Sequence, residues 1–161
     1  MKGAMEESQD VGRPEGILAR GISFAILWFD DEVIELSVRA SNGRFAGTAR
    51  LYAGREGLAE VASAFRGFPS SNADSRELVL GTFDPACAGG GVRLRLGCTD
   101  AAGHAAVEAE LRTDPQASEV GQSERAQLVV VVEPGAIDDF VAAVDRMPVE
   151  VGAVAHLRQA T

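Results

Sequence analysis

The sequence predicts an α+β protein, a two-layer fold of mainly antiparallel sheet and two helices, arranged as pseudo-duplicated βββα units. Three observations carry this reading. The stretch RFAGTARLYAGREGLAEVASAFRGFP, Arg44 to Pro69, returns as ERAQLVVVVEPGAIDDFVAAVDRMP, Glu124 to Pro148, and an offset of 79 residues (130 − 51) lays Leu51 on Val130 without a gap. Under that offset Leu58 falls on Ile137, Val61 on Phe140, Ala62 on Val141, Phe65 on Val144 and Pro69 on Pro148. These positions form an i, i+3, i+4, i+7 stripe, the buried face of a helix. Most of the remaining segments alternate apolar and polar residues with period two, which implies antiparallel strands with one wetted face and helices on the other.

Each element has its own warrant. Residues 1–16 are polar and acidic with scarcely an apolar side chain, and read as a flexible leader. A single α+β domain is expected over 17–161, with halves at about 21–69 and 91–148. Gly21–Phe29 (GISFAILWF) is apolar on both faces, a strand covered on both sides or passing under a helix. Asp30-Asp31 turns the chain, and Glu32–Ala40 then alternates Ile34, Leu36, Val38 and Ala40 against Glu35, Ser37 and Arg39. Asn42-Gly43 is a strong hairpin signal, because both central residues of a two-residue turn take positive φ. Pairing outward from it sets Ala40 beside Phe45, Ile34 beside Leu51 and Glu35 opposite Arg50.

A first helix is expected at about Arg55–Gly67, then a short strand at Glu77–Phe83 and a loop at Asp84–Gly91. Gly91–Thr99 and His104–Arg112 form a second hairpin around Asp100-Ala101-Ala102-Gly103. A four-residue turn sets Arg95 opposite Glu108, Arg93 opposite Glu110 and Leu96 on Val107. Asp114–Glu124 is a polar loop, and the apolar run Leu128–Val132 reads as a central strand. The second helix spans about Pro134–Arg146, with Pro134 suited to its first turn and Asp138 and Asp139 near its positive end. Val149–Leu157 can add a last strand at a sheet edge.

Charge and composition narrow the function. Fifteen basic against twenty-four acidic residues give −9, which disfavours nucleic acid and anionic membranes and favours a basic protein partner. Solubility alone also accounts for that charge. The longest purely apolar run falls far short of the roughly 20 residues of a membrane span. The amino-terminal residues lack the apolar core of a secretory signal, so the expected address is the cytoplasm.

Two cysteines, Cys87 and Cys98, are too few for a disulfide framework, although a bridge between them is conceivable. DPACAGGG is glycine-rich, but no Gly-Lys-Ser/Thr follows and it leads into a strand, so it reads as a flexible connector rather than a phosphate cradle. His104 and His156 lack metal-ligand spacing and read as surface residues. No catalytic residue, cofactor site or metal site is expected. The candidates that remain are two acidic clusters, Asp30, Asp31 and Glu32 at a turn and Asp138 and Asp139 on the second helix. A polar turn and a helix N-terminus account for them locally. The functional reading is an acidic patch that receives a basic partner.

Phe45-Ala46-Gly47 opening a strand, Glu56-Gly57-Leu58-Ala59-Glu60 entering a helix and Phe65-Arg66-Gly67-Phe68 closing it are joined downstream by Asp100–His104 (DAAGH) before an alternating strand. In these features, over most of 20–148, the chain resembles the WapI-type immunity proteins of bacterial contact-dependent toxin systems and a similar uncharacterised bacterial domain family. The resemblance implies a cytoplasmic, non-enzymatic protein that binds and blocks a toxin, and it transfers no functional residue. The alternative is a small-molecule-binding or enzymatic domain with a pocket between sheet and helices. A homodimer built through a sheet edge or open face is a third expectation, beside a monomer.

Overall fold

Two antiparallel sheets, rather than one, take up the alternating segments. The computed structural model describes residues 19–161, so the expected leader lies outside the described residues. In chain order the elements are β1 (Gly21–Phe29), β2 (Val33–Ser41), β3 (Ala46–Gly54), α1 (Gly57–Phe65), β4 (Arg76–Gly81), β5 (Gly91–Cys98), β6 (Ala105–Arg112), β7 (Arg125–Val132), α2 (Pro134–Arg146) and β8 (Val154–Arg158). A short 3-10 turn, Pro115–Ala117, interrupts the β6–β7 connection. The first sheet has the order β3-β2-β1-β8 and the second β4-β5-β6-β7. The fold class is α+β, as the alternation predicts.

The inner faces of the two sheets meet in one core with the apolar faces of both helices. Ile22, Phe24, Leu36, Val38 and Leu51 from the first sheet and Leu94, Val107, Ala109 and Val130 from the second are fully buried. β3 touches all four strands of the second sheet, and α2 lies against β8 and α1. Phe140 of α2 is the hinge of this packing. Its ring centre is 5.7 Å from that of Phe24 and 5.1 Å, edge-on, from that of Phe65. The 79-residue offset carries Ala46 of β3 onto Arg125 of β7 and all of α1 onto Ala136–Val144 within α2. Arg66 and Asp145, equivalent under the same offset, form a two-oxygen ion pair at 2.7 and 2.9 Å between the helix ends. Equivalent positions meet in this way where a local twofold relates two units. Duplication itself remains a proposal that this coincidence supports.

The second hairpin has the expected register, with Arg95 paired to Glu108, Arg93 to Glu110 and Leu96 to Val107. The first does not. Leu36 pairs with Leu51, Ala40 with Gly47 and Glu35 with Tyr52, two residues from the expected register. Asn42 does not take positive φ; only Gly43 does, at 86°. The turn instead closes through the Asn42 side chain, whose Oδ1 accepts from the N–H groups of Arg44 and Phe45 at 2.9 Å each. Phe45 is thereby expelled to 66% exposure rather than packed beside Ala40. β7 is an edge strand, not a central one. Its edge carbonyls are nonetheless occupied, Val129 O by Asn42 Nδ2 at 3.1 Å and Val131 O by Ala160 N at 2.7 Å. That cover answers the hazard of an open apolar edge.

Candidate functional site

The outer face of the first sheet carries the features that the core does not explain. β1 pairs with β2 in regular register from Gly21 to Ile26, then a bulge at Leu27 shifts the ladder so that Trp28 pairs with Glu35. A bulge re-aims the side chains that follow it. Trp28, which simple alternation would set in the row of Ile22, Phe24 and Ile26, stands 47% exposed on the outer face. Glu35 in turn pairs with Tyr52 of β3, which is 48% exposed. The chain has one tryptophan and one tyrosine, and they stand in a single cross-strand row on either side of a carboxylate.

The acidic turn adjoins this row. Asp30 Oδ1 accepts from the N–H groups of Glu32 and Val33, both at 2.8 Å. Those backbone donors, Glu32 first, hold the Asp30 carboxyl below its usual range, with a smaller contribution from Arg55. Arg55 donates to the Asp30 carbonyl at 2.8 Å and lies over the Phe29 ring, 5.7 Å from its centre. Asp30 is therefore a turn-forming group, while Asp31 and Glu32 project freely into solvent.

Asp138 and Asp139 do not join them. Neither belongs to the first turn of α2, which contains no acid, so the helix dipole does not account for them. Asp139 reaches Arg158 at 3.5 Å, both side chains more than 70% exposed, a pair of little energetic consequence. Arg158 sits beside Gly21 at one end of β1, whereas Asp30 follows Phe29 at the other. At about 3.3 Å per residue, the two clusters lie on the order of 25 Å apart. They are two separate patches.

The outer face of the second sheet is a ladder of opposite charges. Arg93 reaches Glu110 at 2.9 Å, Arg95 reaches Glu77 at 2.9 Å and Glu108 at 3.2 Å, and Arg125 reaches Glu110 at 3.4 Å. The DPACAGGG segment beside it is held by both sheets and is not a free connector. Phe83 lies beneath Arg93, 4.6 Å from ring centre to guanidinium, with Arg125 at 5.9 Å. Arg112 is almost wholly buried, at 1% exposure, and donates to the carbonyls of Thr82 and Gly89. Gly89 N–H donates to Asp114 at 2.9 Å, and Gly90 N–H donates to Arg50 of the first sheet at 2.9 Å. The glycines let this loop lie against two strands at once.

Cys87 and Cys98 are both free thiols. One precedes β5 and the other ends it, so a strand's length separates them and excludes a bridge. His156 Nδ1 lies 2.6 Å from Ser23 Oγ across the β1–β8 pair, a contact that sequence spacing cannot reveal. His104 Nδ1 lies 2.6 Å from Asp100 Oδ2 in the second hairpin turn, with Glu133 at 3.9 Å. The Asp100 hydrogen bond and charge, and then Glu133, raise His104 above the usual histidine value.

The fold therefore favours the imidazolium. Its contribution is fully present below the unfolded-state value and disappears as pH rises through the raised folded-state value. The Asp100→Asn variant should show His104 titrating at lower pH by NMR. An unmoved His104 curve would remove Asp100 as the cause.

Among the described residues, no three His, Cys, Asp or Glu side chains converge as a metal site, and no helix is long and apolar enough to cross a membrane. Two of the larger concavities open at the surface. One, of about 480 Å³, lies between Thr48 and Arg50 of β3 and the Thr113–Glu124 connection. Another, of about 540 Å³, lies between the end of α2 and the turn before β8. The first combines β3 with a surface connection, and the second the end of α2, the following turn and the start of β8. No protein-family model, curated protein or solved structure matches the chain.

Proposed function

We propose that this is a non-enzymatic protein-binding domain whose partner is basic and whose contact surface is the Trp28 end of the first sheet. The observation that carries the reading is the exposed Trp28–Glu35–Tyr52 row beside the acidic turn. Tryptophan and tyrosine supply large contact area on few rotatable bonds and are enriched among residues that dominate interface energies. Asp31, Glu32 and Glu35 place negative charge around them, and the chain's −9 adds long-range attraction for a cationic surface. The resemblance to toxin-immunity proteins fits the same picture, in which a rigid fold masks a basic toxin domain inside the cytoplasm of the producing cell.

The test compares baits. Wild type, Trp28→Ala and the double variant Asp31→Lys, Glu32→Lys are immobilised, and capture from lysate of the source organism or a toxin-bearing neighbour is followed by binding kinetics on the captured protein. The reading expects a basic partner whose affinity falls at least about tenfold in Trp28→Ala. Its association should slow with added salt and in the charge-reversed variant. A partner bound equally by all three baits would overturn this surface.

A further inference from the structure

We infer that the Trp28–Glu35–Tyr52 row is a slot for a single arginine side chain of the partner, an inference that rests on the protein-binding reading and names the chemistry at its centre. Direct register partners stand on the same face of a sheet, so Trp28, Glu35 and Tyr52 all project outward in one line across β1, β2 and β3. Trp28 and Tyr52 are two strand spacings apart, which sets their Cα atoms at about 10 Å. A planar ion held between two ring faces needs about 7 to 8 Å, two contacts of about 3.5 to 4.0 Å each. A modest lean of either ring closes that difference.

The floor of the slot is Glu35, whose backbone pairs with Trp28 and Tyr52 and whose side chain makes no hydrogen bond or ion pair among the described residues. It is the counterion that such a cation requires. One neighbouring positive group is committed elsewhere. Arg55 covers Phe29 and the Asp30 carbonyl. Arg50, two residues from Tyr52 on the same strand face, also lines the concavity against Thr113–Glu124. Phe29, whose register partner is the buried Ile34, faces away from the row and carries Arg55, whereas Trp28 and Tyr52 carry no cation among the described residues. Tyr52 is braced from its far side by the backbone of Gly89, where an added Cβ would come within 3.1 Å of its ring.

Guanidinium suits the slot better than ammonium. It is planar, weakly hydrated, stacks on aromatic faces and presents a fork of donors to one carboxylate. A bound arginine would lie with its faces against the two rings and its donors directed down to Glu35.

The chain's single tryptophan makes the slot report on itself. Tryptophan fluorescence is titrated at low salt with the blocked tripeptide Gly-Arg-Gly, and with its lysine and citrulline counterparts. A saturable change is expected with the arginine peptide, roughly tenfold weaker with lysine and weaker still with neutral citrulline. Both Glu35→Gln and Tyr52→Ala should abolish it while leaving the thermal unfolding curve in place. No saturable change, or an equal response to citrulline, overturns the slot. Tetramethylammonium binding as tightly as the arginine peptide overturns the arginine assignment in favour of a small free cation. Failure here with capture of a partner still dependent on Trp28 removes the slot alone. Loss of that dependence removes the surface as well.

Discussion

Phe140→Ala is expected to cost about 3 to 5 kcal/mol of folding stability, the cost of deleting a fully buried aromatic side chain and leaving its cavity. The ring is fully buried, and it packs on Phe24 of the first sheet and Phe65 of α1. Removing it separates three elements at once, so the site cannot collapse by moving one of them. A domain of this size has only about 5 to 15 kcal/mol in total. Urea unfolding should therefore show a large fall in midpoint and, at physiological temperature, a substantial unfolded population. A loss below about 1.5 kcal/mol would show that the helices close over the gap and that Phe140 is not the joint described here.

Gly90→Ala should be nearly as severe, for a different reason. A Cβ at Gly90 would overlap the carbonyl oxygen of Arg112 and lie 2.6 Å from that of Arg50. Arg112 ends β6 in the second sheet and Arg50 lies on β3 in the first, so movement away from one oxygen drives the methyl toward the other. The Gly90 N–H bond to Arg50 O holds the two strands at that spacing. Overpacking against backbone that cannot retreat costs about 3 kcal/mol. Gly97→Ala is the matched control, since nothing lies within 4 Å of its added Cβ. Equal stability of the two variants would mean that the sheets separate freely at this point.

The fold was legible in sequence to the extent that local chemistry determines it. The DAAG turn set both the parity and the offset of the second hairpin, and the Arg93–Glu110 and Arg95–Glu108 pairs follow from it. In the first hairpin, parity alone survived. A slip of two residues returns every side chain to the same face, so Leu36, Val38 and Leu51 were correctly read as buried while their partners were not. What displaced the register was a side-chain acceptor, Asn42 Oδ1, that competes with a two-residue turn. An unbroken apolar run such as Leu128–Val132 suggests a strand inside a sheet, yet Val129 and Val131 stay 47% and 42% exposed on the edge strand β7. The candidate surface was least legible. It depends on one bulge in β1 and on the corrected β2–β3 register, and without both of them Trp28, Glu35 and Tyr52 do not share a row. Acidic residues are visible in composition, whereas the pairing of Trp28 and Tyr52 across Glu35 exists only in the folded sheet.

The seat of β8 beside β1 has a consequence for connectivity. Written as β8-β1-β2-β3-α1 and β4-β5-β6-β7-α2, the molecule is two meanders of four strands, each followed by a helix. Only the position of β8 in the chain breaks that parallel. Because Arg158 pairs with Gly21, a short loop joining these strand ends would turn β8 and β1 into an ordinary hairpin, and the chain could be opened instead before β8. In the natural order, the first sheet closes only when residues as distant as Ser23 and His156, 133 positions apart, find each other. A circular permutant would replace that search with a local turn. The gain is offset at α2, which packs against β8 and would then lie at the opposite end of the chain from it.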